Sequence, residues 1–253
     1  MKLADYRKIA AGVEKRKVFV EEKEVEAALK WFQQSRAKFS LKNQPAQKGD
    51  FVEIDCLGRK DAFILGQGHF VAGFEEAIVG MKAGEEKDSI KDIKVKLISV
   101  QNIELPELTD DFARGLGDFR DLVALKKSVG EGLNLEKEQA ERIRWRSEVL
   151  ERISQQTECE VPENLVLEEQ SSMIEKLKKQ VPEFFKISFQ EYLGKIKKTE
   201  KELSDSFLPL ARKKVKNLLI LKEVGKKELD SEEIKKYTEE EKIEKIFKLL
   251  ESL

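Results

Sequence analysis

An α+β fold is predicted, a mainly helical and elongated body carrying one small β-sheet domain, and three observations predict it. Charged residues make up 38% of the 253-residue chain, while Gly (14) and Pro (5) are sparse. That composition favours helices with large solvated faces over a compact enzyme. Between residues 51 and 100, short segments alternate apolar and polar side chains, the period of half-buried strands. From Thr109 onward the apolar positions fall almost entirely at helical spacing. An apolar content of 40% supplies core material for one large domain or two small ones.

Val25, Leu29, Phe32 and Phe39 share one helical stripe with Glu and Lys between them, which predicts an amphipathic helix over 22–39. SLKNQPAQKGD, residues 40–50, contains Pro45 and Gly49 and reads as a linker and turn, with a domain boundary near 46. Beyond it FVEIDCLG, DAFIL and DIKVKLISV read as strands, and residues 74–79 leave room for about two helical turns. Residues 46–102 are thus a small sheet domain with one short helix, too small to stand well alone.

Leu122, Leu125, Val129, Leu133, Ala140, Ile143 and Leu150 continue a helical stripe, and Pro162 suits a first helical turn. Thr199-Glu200-Lys201-Glu202 matches a capping box and opens a helix carrying Leu203, Phe207, Leu210, Leu218 and Leu221. Pro209 is expected to kink or split that helix, unless it marks a second start. Ser231 and Thr238 are N-cap candidates, each followed by acidic residues.

Lys plus Arg (48) nearly cancels Asp plus Glu (49), so no global field points to nucleic acid or an acidic substrate. Locally, residues 176–227 hold 15 basic against 6 acidic side chains, a net +9, and residues 228–253 hold 5 against 9, a net −4. The tail is expected to fold back on the basic helices. The runs KKQ, KIKKTEK and RKKVK permit a nucleic-acid reading, but no aromatic platforms interleave them, and solvated helix faces are preferred. Cys56 and Cys159 form no CxxC and the N-terminus has no secretory core, so a reduced, cytoplasmic setting is expected. No apolar run approaches the roughly 18 residues of a membrane span, so a soluble protein is expected. His69 is the only histidine, which excludes paired-His zinc sites; no metal and no cofactor is expected. A Cys56–His69 nucleophilic pair has nothing to orient the imidazole, and Cys56 reads as a small buried hydrophobe.

LGQGHFVAGFEEAIVGMKAGE, residues 65–85, resembles the core signature of FKBP-type peptidyl-prolyl isomerases. NIELPELTDDFARGLG, directly after the last strand, resembles the exit from that domain in the trigger factor family. The stretch VEKRKVFVEEKEVEAALKWFQQSRAKF upstream, and the segment from Leu125 to Gln170 downstream, are similar to the same family's linker helix, long helix and first arm. The resemblance implies an FKBP-like antiparallel domain at 46–102 inserted in a helical chaperone body, residues 1–45 and 103–253, whose arms cradle unfolded or nascent polypeptides. It also implies a ribosome-docking domain with a Gly-Phe-Arg-x-Gly-Lys tip, which would precede residue 1 and does not occur in this sequence. The ribosome is expected as a partner only if such a domain exists in the native protein.

Matched position by position, the resemblance puts Phe74 on the floor of a proline pocket, Phe70 and Val71 on its wall, Phe63 on a neighbouring strand, and Ile93 where an aromatic is usual. Cys56 replaces a tyrosine, the Phe-Asp pair of the next strand has no counterpart, and EEKDSIKDIKVKL runs almost straight where the family has a flap. Isomerisation needs a dry pocket to lower a barrier of roughly 18–20 kcal/mol, so a weak or absent activity is expected. An active isomerase remains the alternative, and a core role for the same side chains is a third reading. The resemblance places client contacts on Phe184, Phe185, Phe189 and Tyr192 in VPEFFKISFQEYLGK, with Met173 and Ile174 nearby; helix packing is the plainer role for them. Besides the chaperone, a scaffold or RNA-binding helical protein is carried as a further alternative.

Overall fold

The computed structural model describes all residues except Leu57, Ala72 and 89–92, and Ser231, Glu233 and Ile234 through the backbone only. Two compact units result: residues 19–136, and residues 1–18 together with 137–253. The segment 19–45 groups with the sheet rather than with the larger helical unit.

In the sheet unit, helix α2 (Glu22–Ser35) starts at a capping box between Glu21 and Glu24. It stops four residues before Phe39, because the chain extends at Lys38–Leu41 into strand β1. Phe39 therefore belongs to the sheet, opposite Ile103, with its ring 4.8 Å from that of Phe51. Its helical spacing from Phe32 is incidental. Strands β2 (Phe51–Cys56), β3 (Arg59–Ile64), β4 (Glu86–Asp88) and β5 (Lys94–Glu104) complete an antiparallel sheet in the order β1-β5-β2-β3, with β4 also on β5. β5 is the common partner: it pairs with β1, β2 and β4. β2 and β3 form a hairpin closing between Cys56 and Arg59, with Gly58 at φ 80° supplying the left-handed backbone a tight turn needs. β4 and β5 turn back on each other with Asp88 opposite Lys94, so the segment does not run straight. The remainder of the expected flap region, residues 89–92, lies outside the described residues.

Val52, Ile54, Phe63, Leu65, Val95, Leu97 and Val100 line one sheet face and pack against helix α3 (Phe74–Ile78). Residues 43–50 are not a loose linker. Ala46 is fully buried, donates from its N–H to the Met81 carbonyl at 2.8 Å and accepts from the Gly80 N–H at 2.8 Å. The Lys42 ammonium sits 2.7 Å from Asp50, with both side chains about nine-tenths buried, and Asp50 also accepts from the Gln47 N–H at 2.8 Å. Helix α4 (Asp110–Leu116), capped by Thr109, packs with α2 and the start of helix α5 (Leu122–Gln156) around Leu29, Ala113 and Leu125.

The second unit comprises helix α1 (Tyr6–Ala11), residues 137–156 of α5, and helices α6 (Glu163–Phe185), α7 (Phe189–Ile196), α8 (Glu200–Glu228), α9 (Ser231–Lys236) and α10 (Glu239–Glu251). α9 starts at Ser231 itself, and the preceding Asp230 carboxylate accepts from the Glu232 N–H at 2.9 Å. The core joins Trp145, Val149 and Ile153 to Ile220, Leu221 and Val224 of α8 and to Ile246, Phe247 and Leu250 of α10. The tail thus folds back on α8 through apolar contact, and Arg146 adds ion pairs of 2.6 Å to both Glu244 and Glu251. The buried Trp145 indole donates to the Val13 carbonyl at 3.0 Å. Glu228, at the end of α8, accepts from the Tyr6 hydroxyl at 2.5 Å and the Arg7 guanidinium at 2.7 Å, which ties α1 down.

α6 and α8 run antiparallel: Glu163 meets Arg212, Glu169 meets Lys214, and Lys178 meets Glu200. Pro209 neither splits α8 nor starts a new helix. In the turn ahead of it Gln170 donates to the Ser204 carbonyl at 2.8 Å and Ser206 to the Leu203 carbonyl at 2.6 Å, while the carbonyl that Pro209 leaves without a helical donor is that of Asp205.

Breaking a buried ion pair leaves its partner charge stranded, at a cost of about 3–5 kcal/mol. Asp50→Ala is therefore expected to destabilise the sheet unit by about 3 kcal/mol in urea unfolding. The double change K42M/D50L, which removes both charges, is expected to cost less than D50A alone.

Candidate functional site

Two regions were predicted to act on polypeptides. In the sheet unit, Gly73 adopts φ 86° and turns the chain into α3, which points Phe74 into the core. Phe63 and Phe74 are buried, and Phe70 is half-buried between them, its ring centroid 4.8 Å from Phe63 and 4.7 Å from Phe74. The three rings pack on one another. Val71, expected on a pocket wall, is instead 73% exposed. Cys56 packs half-buried against the sheet core, as a small hydrophobe would. Ile93 is half-buried, and His69 is exposed with its ring edge toward Phe63.

The loop before α3 is organised by a residue that sequence reasoning passed over. Glu75 is buried at 6% exposure, and its carboxylate accepts from the backbone N–H groups of Gly66 at 2.6 Å, Gly68 at 3.3 Å and Phe70 at 3.3 Å. Gly66 and Gly68 have φ values of 92° and 74°, the left-handed backbone that lets these amides converge. Burial works against ionisation of Glu75, but the N–H groups of Gly66, Gly68, Phe70 and His69 together outweigh it and hold the carboxyl below the ordinary glutamate range. A carboxylate two positions beyond Gly73, next to the buried Phe74 and facing a run of glycines, was the available signal.

The second region is the end of the α6–α8 hairpin where α7 lies. Lys186 terminates α6 with φ 56°, and Ser188 and Glu191 form a capping box that starts α7. Phe184 and Phe185, in the last turn of α6, are 68% and 63% exposed. Phe189 and Tyr192 are half-buried against Ile174, Leu193 and Leu203. Phe185 stacks on Tyr192 at 6.1 Å, and Tyr192 on Phe189 at 6.3 Å, so a row of rings runs from solvent into the hairpin. Ile174, expected near a binding surface, is a core residue at 5% exposure, and Met173 packs half-buried around Val166 and Ala211.

The basic run of α8 is used internally. Arg212 pairs with Glu163 at 2.6 Å, Lys213 with Glu151, and Lys214 with Glu169 at 3.2 Å. These cations fasten neighbouring helices rather than forming an open patch. Among the described residues no cluster of three His, Cys, Asp or Glu side chains is arranged to hold a metal ion, and no helix is long and apolar enough to cross a membrane.

One unit of helices with an aromatic-tipped hairpin and one unit built on a five-stranded antiparallel sheet with a glycine-rich loop define an α+β protein. The chain belongs to the trigger factor family: the family described as bacterial trigger factor protein C-terminus matches residues 121–248. It is 30% identical over 271 residues to the trigger factor of Caldicellulosiruptor saccharolyticus, covering 94% of this chain and 61% of that protein. It is 31% identical over 259 residues to that of Halothermothrix orenii, covering 90% and 59%, and 28% identical over 266 residues to that of Clostridium botulinum, covering 90% and 59%. The chain thus spans about three fifths of these relatives' length. A solved chain of the trigger factor chaperone, described for promiscuous substrate recognition in folding and assembly activities, is similar with a TM-score of 0.48 and 16% identity, over 96% of this chain and 69% of that one.

Because Glu75 is depressed in the folded state, its contribution is fully present above the unfolded glutamate value near 4.5 and is lost as the pH falls through the folded value. Hydrogen exchange is therefore expected to show the Gly66, Gly68 and Phe70 amides losing protection as the pH is lowered below about 4.5, ahead of the β2 and β5 amides. Glu75→Gln is expected to remove that pH dependence and leave those amides weakly protected at neutral pH.

Proposed function

We propose that this chain is a chaperone that holds unfolded or nascent polypeptide segments on the exposed aromatic end of its α6–α8 hairpin, and that it works in the cytoplasm. The observation that carries this reading is the pair Phe184 and Phe185, adjacent in sequence and 68% and 63% exposed. Burying a phenylalanine side chain is worth about 1.5–3 kcal/mol, so a client covering both rings gains several kcal/mol that the free protein leaves unused. Tyr192 and Phe189 support the pair from behind, because their stacking fixes where Phe185 points. Family membership supports the same reading.

The sheet around residues 46–102 is, on this reading, an FKBP-like domain reduced to a structural role. Its three aromatic rings contact one another rather than standing apart around a proline-sized space, and Val71 points away. Imide rotation needs no nucleophile or metal but a dry aromatic pocket, and on this reading rings packed against one another do not offer one.

Two measurements test this. The purified protein is expected to suppress aggregation of a chemically denatured client, and F184S/F185S is expected to reduce that suppression severalfold with unchanged circular dichroism. No suppression at stoichiometric excess would sink the chaperone reading. In a protease-coupled assay with a Phe-Pro peptide, the isomerisation rate is expected to equal that of buffer; a faster rate that disappears in Phe74→Ala would restore the isomerase.

A further inference from the structure

Where α10 packs on the second half of α8, the two helices leave a groove of about 250 Å³ between them. Leu221 and Ile246 are buried at its base, while Leu218 is 38% exposed and Ile243 half-buried toward its mouth. Gly225 also lines the base, and a Cβ there would stand 3.2 Å from Ile246 Cδ1. The groove therefore reaches the α8 backbone, and it is apolar along its depth.

Its charged lining consists of three lysines and one glutamate. Glu239 pairs with Lys242 at 2.8 Å and with Lys222 at 4.0 Å, and Lys226 reaches Glu223 along its own helix at 3.1 Å. The Lys242 hydrogen bond, aided by the field of Lys222, holds Glu239 below the ordinary glutamate range against the effect of burial. One carboxylate is thus divided between two ammonium groups, and Lys222 holds it only at the limit of ion-pair range. A second carboxylate at the mouth would complete the pairing of Lys222.

An apolar base with more ammonium than carboxylate at its mouth is complementary to a molecule with an aliphatic tail and an anionic head. At roughly 30 Å³ for each water-sized group, about eight methylene-sized groups fill the groove, too few for a helix or a folded partner. We propose that the α8–α10 groove binds a free medium-chain fatty acid, its tail along Leu218, Leu221, Ile243 and Ile246 and its carboxylate on Lys222 and Lys226. These residues are separate from Phe184 and Phe185, and the proposal does not rest on the chaperone reading.

The test is calorimetric titration of the full chain with hexanoate, octanoate, dodecanoate and octanol. Octanoate is expected to bind at a single saturable site and to raise the melting temperature. Affinity is expected to rise by up to about fourfold per methylene from hexanoate to octanoate, and to level off by dodecanoate once the groove is full. Octanol is expected to bind severalfold more weakly than octanoate, and K222A/K226A to bring octanoate down to the octanol level. Glu239→Gln, which releases both lysines, is expected to tighten octanoate severalfold and leave octanol unchanged. Leu218→Asp, at the exposed edge of the groove, is expected to abolish binding of both with unchanged circular dichroism. No octanoate binding at millimolar concentration overturns the proposal, and octanol binding as tightly as octanoate overturns the assignment to a fatty acid. Affinity that keeps rising through dodecanoate, with several molecules bound and no effect of L218D, overturns it in favour of plain surface adhesion. Binding lost in F184S/F185S overturns it in favour of the hairpin end; each of the other failures leaves the chaperone reading standing.

Discussion

A buried carboxylate must find N–H donors, and that requirement at Glu75 governs the glycine-rich loop of the sheet unit. Isolated in an apolar interior, the charge would cost several kcal/mol. The backbone answers by folding residues 66–70 around it, with three amides between 2.6 and 3.3 Å. Side chains with a Cβ resist the φ values this needs at 66 and 68, and glycine does not. Two of the glycines that look like the lining of a substrate pocket therefore serve an internal anion. The clamp also holds Phe70 between Phe63 and Phe74, since the Phe70 amide is one of its donors.

In the helical unit the comparable constraint is closure of helix ends. α7, α8 and α10 each begin at a Ser or Thr whose oxygen meets the third amide, while a Glu at that position returns to the cap. Each box satisfies amides that would otherwise face solvent at a sharp turn. With three such starts, the chain reverses at 188 and 199 without a large local core. The small cluster of Ile174, Leu193 and Leu203 then suffices to hold the turn, and the adjoining rings of Phe184 and Phe185 are left uncovered.

Much of this was legible in the sequence because it depends on local chemistry. The capping boxes at 199 and 238 are visible as residue spacing, and the strand over 51–56 as strict alternation. What was missed depends on distant partners. Phe39 fits the helical stripe of α2 as well as any residue, and only its pairing with Ile103 through the long β5 makes it a strand residue. Lys42 and Asp50 look like ordinary linker charges until the chain between them folds over and buries both. Pro209 reads as a helix breaker, yet α8 runs on through it, packed along α6 and joined to it by the Gln170 bond to the Ser204 carbonyl, which no helical periodicity shows. The basic run of α8 reads as a solvated helix face because its three glutamate partners lie 45 to 62 residues earlier in the chain.

One residue type meets opposite fates in the two units, and the difference follows from what lies around it. Phe63, Phe70 and Phe74 sit where a sheet face, a short helix and a carboxylate-clamped loop converge, so each ring has apolar neighbours on several sides. Phe184 and Phe185 sit at a helix end terminated by a left-handed lysine, where the next helix begins too far along to cover them. Tyr192 and Phe189 meet the inner side of Phe185 but leave its outer side open. Exposed lysines at the same end keep that open surface hydrated. Apolar exposure flanked by exposed lysines thus arises at this end where the backbone is already turning and no further element is at hand to cover the rings.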